Sequence, residues 1–245
     1  MIILQDFFDT LATGEFSNIS LSNSILSTIT ADKYPTIINN MNLGLIELYK
    51  RFTLKEKTIV LYEHADVTQY LLRSDYLSAT VALVDENAYL FDSNFDPFDD
   101  DIIKITDATY LDSDGEVDRV YINNKLYPDI GIFTTAFDTI KLTPQEPLRV
   151  ITLTYLASYP KIVLTNAFDP STYELFFPEW IQEPLLAYIA ARIFQGKASK
   201  AAEGERNLYT TFMYQYENSC KKIELLGLAA MSDDASENFT NNGWV

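Results

Sequence analysis

The chain has 245 residues, 47% of them hydrophobic and 13% aromatic, which is enough for a sizeable core and excludes a globally disordered chain. Its 35 acidic residues against 18 basic ones give a formal net charge of -17, which argues against a conventional nucleic-acid-binding domain, since that needs a basic face to neutralise phosphates. Cys220 is the single cysteine, so neither an intramolecular disulfide nor a multi-thiolate zinc site can form, and the chain suits a reducing cytoplasm.

The amino terminus, MIILQDFFDTLATGEF, carries Asp6 and Asp9 and no basic n-region, and reads as neither a signal peptide nor a membrane span. No later window approaches the roughly twenty uninterrupted apolar residues of a spanning helix. An amphipathic helix is predicted over residues 5–13, with Phe7, Phe8 and Leu11 on one face and Gly14 as its stop. The Ser/Asn-rich FSNISLSNS favours turns and caps. A long helix follows over residues 35–52, started by Pro35, whose missing N–H costs little there. Ile37, Ile38, Met41, Leu45, Leu48, Tyr49 and Phe52 form its apolar stripe. Gly44 interrupts the stripe at a cost of roughly 1 kcal/mol relative to Ala, which close helix packing would explain.

From Lys57 the period changes. TIVLYEH, TQYLLRS and TVALV read as short strands, and residues 102–111 and 117–122 as a hairpin around Asp112-Ser113-Asp114-Gly115. Asn123-Asn124 is a further turn, and strands are expected at 130–135, 139–142 and 150–155. Residues 173–177 then lead into a helix started by Pro178, striped by Ile181, Leu185, Ile189 and Ile193, and ended by Gly196. A second helix over 201–226 places Leu208, Phe212, Tyr216, Cys220 and Ile223 inward. The fold class is therefore α+β: a helical bundle core from residues 1–56 and 173–228, a β-rich insertion at 57–172, and an extended tail at 229–245.

Chemistry is sparse. Between Asp85 and Asp118 stand twelve acids and one base, Lys104. Asp99-Asp100-Asp101 and Asp112-x-Asp114-Gly115 are candidates for a hard cation, but aligning Gly115 with the EF-hand glycine puts Tyr110 and Tyr121 at ligand positions. Turns and a solvated loop account for these acids. His64 is the only histidine, flanked by Glu63 and Asp66, with no second imidazole and no G-x-S-x-G elbow; an ordinary strand-end histidine explains it. Cys220 reads as a small buried hydrophobe. No cofactor and no catalytic constellation is expected. Lys197, Lys200, Arg206, Lys221 and Lys222 make the last two helices the most basic part of the chain, as helical partners for Glu203, Glu205, Glu217 and Glu224. In the tail, Phe239 and Trp244 are costly to leave in water, which makes them partner-binding candidates together with Asp233 and Asp234.

The helix pair also carries a pattern: Phe177, Pro178 and Glu179, then Leu185, Tyr188, Ala190, Ala191, Arg192 and Phe194, then Tyr209, Phe212, Tyr216 and Cys220. With the run from Ile38 to Phe52 near the start, it resembles the head-to-tail adaptor (connector, or ring) proteins of tailed, podovirus-like phages. The resemblance covers about half the chain and implies a non-enzymatic structural virion protein. It further implies a homo-oligomeric ring, normally a dodecamer, docked under the portal protein and contacting a tail or nozzle protein. Genomic DNA would pass through without specific binding, and no membrane is involved. The protein would be made in the host cytoplasm and reside at the head-tail junction. The long acidic β insertion departs from the family pattern. Competing readings are a carbohydrate-binding or hydrolytic β domain on a helical base, and another head- or tail-completion ring protein.

Overall fold

The computed structural model describes residues 2–14, 22–23, 28–78, 85, 87–92, 96–111, 116–125, 131–143, 148–165, 167–198 and 203–228. The fold is α+β, in two compact units: Met1–Leu54 with Tyr159–Val245, and Lys55–Ser158.

In the first unit, strand β1 (Ile2–Ile3) runs straight into helix α1 (Leu4–Thr13), which buries Leu4, Phe7, Phe8, Leu11 and Ala12. The first amides of a helix have no partner within it. Here they donate to the returning chain, Leu4 N–H to the Tyr173 carbonyl at 2.9 Å and Gln5 N–H to the Pro170 carbonyl at 3.0 Å. Two-residue strands β2 (Ser22–Asn23) and β3 (Thr28–Ile29) pair antiparallel. Helix α2 (Tyr34–Arg51) follows, with Pro35 in its first turn and the predicted stripe, Gly44 included, buried.

The inserted unit contains β4 (Glu56–Tyr62), β5 (Gln69–Leu71), β6 (Leu90–Phe91), β7 (Ile102–Leu111), β8 (Val117–Arg119), β9 (Ile132–Ala136), β10 (Thr139–Leu142) and β11 (Val150–Ala157). They form two antiparallel sheets, ordered β6-β4-β11-β7-β8 and β5-β10-β9. One hydrophobic core takes side chains from both, including Ile59, Leu61, Tyr70, Ile140, Ile151, Leu153 and Tyr155. Strand alternation sets which residues enter it: Ile59 and Leu61 of β4 lie opposite Leu153 and Ile151 of β11. The alternation continues to Tyr155 and Ala157, which enter the same core across register shifts after Thr154 and Leu156. The second hairpin strand stops at Arg119, short of the expected 122. Asn123, at φ 54, turns the chain there, and its N–H donates to the Ile132 carbonyl at 2.7 Å. The expected strand at 80–84 and turn at 112–115 lie outside the described residues.

The insertion ends at Ser158 rather than at 172. The segment beyond it belongs with the helices for a physical reason: Tyr159 and Ile162 are buried there. Tyr159 packs edge-on against Tyr49 and Phe177, at ring-centroid distances of 5.7 and 6.1 Å. The Asn42 amide holds Ile162 twice, donating to its carbonyl at 3.0 Å and accepting its N–H at 2.9 Å. Strand β12 (Glu174–Leu175) pairs with β1, and a 3-10 turn, Glu179–Ile181, opens helix α3 (Gln182–Ala198). Gly196 does not end this helix. One glycine costs about 1 kcal/mol, and the buried turn before it, Ile189 to Phe194, carries the helix through. Helix α4 (Glu203–Leu226) completes the unit.

Candidate functional site

The α2–α3 seam explains Gly44. A Cβ there would lie 2.7 Å from Leu185 Cδ1 and 2.8 Å from Tyr188 Cδ1, so the helices approach as closely as they do only because that atom is missing. Ala187, Ala190 and Ala191 of α3 are buried as well. Across α3 and α4, Tyr188 meets Tyr216 edge-on at 5.4 Å and Phe194 stacks on Phe212 at 5.5 Å. Seven of the thirteen residues quoted for the helix-pair pattern are spent on packing: Phe177, Leu185, Ala190, Ala191, Phe194, Tyr216 and Cys220 are buried. Burial pushes the Cys220 thiol up to about 11, so it stays a protonated, unreactive core residue at neutral pH.

Where the three helices meet, a groove of about 410 Å³ opens, with a floor of Tyr188, Met213 and Tyr216. Its rim is ionic. Arg51, in the last turn of α2, donates to Glu217 at 2.9 Å and to Glu224 at 2.8 Å, tying α2 to α4, and Lys50 pairs with Glu47 at 3.2 Å. Cations in a helix's final turn are favoured by its dipole.

Two of the acidic candidates of the inserted unit, Asp100 and Asp101, are engaged by the fold. Asp101 accepts from Lys57 at 2.8 Å and from the Tyr155 hydroxyl at 3.2 Å. Asp100 accepts from the Ser74 N–H at 2.7 Å and its hydroxyl at 2.8 Å. Asp96 meets Lys55 at 3.0 Å and Lys57 at 3.3 Å; although burial opposes it, these bonds hold its carboxyl below the usual value. Among the described residues no three His, Cys, Asp or Glu side chains are grouped as metal ligands. Asp112 and Asp114, and the tail candidates Phe239, Trp244, Asp233 and Asp234, lie outside the described residues. His64 lies two residues beyond β4, its backbone N–H accepted by the Tyr70 hydroxyl at 2.8 Å. Its Nε2 is buried without a hydrogen-bond partner among the described residues.

Sequence reasoning missed two features here. The first is a buried ion pair: Arg149 donates from Nη2 to Glu63 Oε1 at 2.6 Å and from its backbone N–H to Oε2 at 2.8 Å, with side chains 7% and 0% exposed. Nothing in the sequence links positions so far apart. The second is Phe137, 84% exposed at the β9–β10 turn. Its place between the expected strands at 130–135 and 139–142 gave no sign of that exposure.

No helix among the described residues is long and apolar enough to cross a membrane. Compared with family models and with curated proteins, the chain matches none.

Proposed function

We propose that this chain is a structural virion protein, a head-to-tail adaptor of podovirus-like phages. Its copies form a ring, of twelve in the family it resembles, beneath the portal protein and around the DNA path. The observation that supports this reading is that the three segments carrying the resemblance pack as one bundle. Gly44 of α2 sits against Leu185 and Tyr188 of α3, and Arg51 of α2 clamps Glu217 and Glu224 of α4. A net charge of -17 suits a wall past which DNA slides without being held. In this role the protein needs neither catalysis nor a cofactor, works at the head-tail junction, and meets a tail or nozzle protein on its far side.

The tail supplies the portal contact in this reading, with Phe239 and Trp244 as apolar anchors and Asp233 and Asp234 meeting basic groups around them. Deleting residues 229–245 is expected to leave the far-ultraviolet circular dichroism of the described fold intact and to weaken docking to purified portal at least tenfold, or about 1.4 kcal/mol. Equal docking by the truncated and full chains rejects the tail as anchor. Particle images of the full chain with and without portal test the ring itself.

A further inference from the structure

The β9–β10 turn holds an apolar side chain out in water on a backbone that is firmly fixed. Asp138, next to Phe137, accepts from Arg73 Nε at 2.7 Å and Nη2 at 2.6 Å, and from the Thr139 hydroxyl at 3.0 Å. Its carbonyl accepts the Leu72 N–H at 2.7 Å. Ser74 in turn binds Asp100, so the segments joined to this turn carry the exposed acids Asp75, Asp99 and Asp100. A large apolar group on a fixed backbone loses little entropy when it docks. Phe137 thus has the character of an anchor residue on an acidic unit, beside the Arg73–Asp138 pair.

The chemistry that fits this anchor is present on the same chain. Residues 55–158 hold 19 acids against 8 bases, whereas residues 182–228 hold 5 acids against 6 bases. Two copies of a strongly acidic chain repel over most of their surfaces, and the contact opposed least sets the acidic insertion of one against the α3–α4 pair of the other. That pair borders the groove floored by Tyr188, Met213 and Tyr216, whose volume of about 410 Å³ has room for a phenyl ring. Aromatic and thioether groups are good partners for such a ring. Around the groove charges of both signs stand in pairs, Lys50 with Glu47 and Arg51 with Glu217 and Glu224, while the exposed Lys221 lies one turn beyond Glu217.

We propose that Phe137 is an assembly knob that seats in the α2–α3–α4 groove of a second copy of this chain, with the acidic insertion of one copy meeting the less acidic helix pair of the other. This deepens, and rests on, the reading of the chain as a self-assembling ring component. Knob and groove are different patches, so the contact is head-to-tail: it closes into a ring or continues as a filament according to the rotation between copies.

The test uses the full chain, with sedimentation velocity and electron-microscope images over a concentration series. Because Phe137 is exposed, Phe137→Ala should fold normally and weaken self-association about thirtyfold, the scale of an interface anchor. Met213→Glu should do the same from the groove side. A photo-crosslinking phenylalanine analogue at position 137 should link, between chains, to peptides containing residues 47–51 or 213–217. Assembly of the wild type that Phe137→Ala leaves unchanged, or crosslinks that map elsewhere, overturns the knob and leaves the ring standing. Filaments that depend on Phe137 retain the knob and remove the ring. A wild-type chain that stays monomeric at every concentration overturns both.

Discussion

The two units solve the same problem, a stable interior, with different materials. In the helical unit the α2–α3 seam closes on Gly44, which lets Leu185 and Tyr188 approach, and the ions stay at the edge: Arg51 remains partly exposed while bridging Glu217 and Glu224. The inserted unit draws charge inside. Glu63 and Arg149 are buried together, and Lys57 occupies an inward position of β4, satisfied by Asp101, Asp96 and the Pro97 carbonyl at 2.7 Å. Dispersion and close fit reward the first arrangement at every contact. The second repays desolvation only when every partner is in place.

The largest expected effect tests that difference directly. Glu63→Gln strands the buried Arg149 charge and is expected to destabilise the inserted unit by about 3–5 kcal/mol. Replacing both residues by Met should recover most of this, since a buried pair is often no better than apolar groups of similar volume. Urea denaturation, with hydrogen exchange of β4 and β11 amides set against those of α2 and α3, measures both. Equal loss of protection in the two units would break the distinction drawn here.

A smaller loss is expected in the seam. Gly44→Val places side-chain atoms where Leu185 and Tyr188 already stand, and overpacking of this kind costs about 1–3 kcal/mol. A Val variant as stable as wild type would show that the helices separate freely.

The smallest effect concerns acid. Hydrogen bonds from Arg73, then from Thr139, hold the Asp138 carboxyl below its ordinary value of 3.8. A depressed folded-state value stabilises the fold above the ordinary pKa, and that contribution disappears as pH falls through the lower folded value. Asp138→Asn should therefore flatten the acid limb of the stability curve below about pH 4 and change little at neutral pH. An unchanged acid limb would rule this pair out as a contributor.

Periodicity made the helices legible. Seven apolar residues from Ile37 to Phe52 fixed the inward face of α2, and the glycine that seemed to weaken the helix marked its closest contact. Alternation accounts likewise for the inward residues of β4 and β11. The ladder order was not legible, because β4 pairs with β11 and β6 rather than with its neighbour in sequence, β5. Pairing across such separations leaves no local trace. For the same reason Glu63 read as a companion of His64 when its partner is Arg149, and residues 159–172 read as part of the insertion when the Asn42 clasp at Ile162 ties that segment to α2. The sequence counted the acids of residues 99–101 but gave no sign that Ser74 and Lys57 occupy two of them.

The insertion leaves and re-enters the helical unit through neighbouring antiparallel strands. Glu56 lies opposite Leu156, and the Ala157 N–H donates to the Lys55 carbonyl at 3.0 Å. Paired strand ends of this kind stand only about 5 Å apart, a gap that a turn of a few residues spans. The whole of Lys55–Ser158 is in that sense a cassette whose two ends lie side by side. Its length and surface can change between related chains, or be exchanged by an engineer, while the joint presented to the helices stays the same.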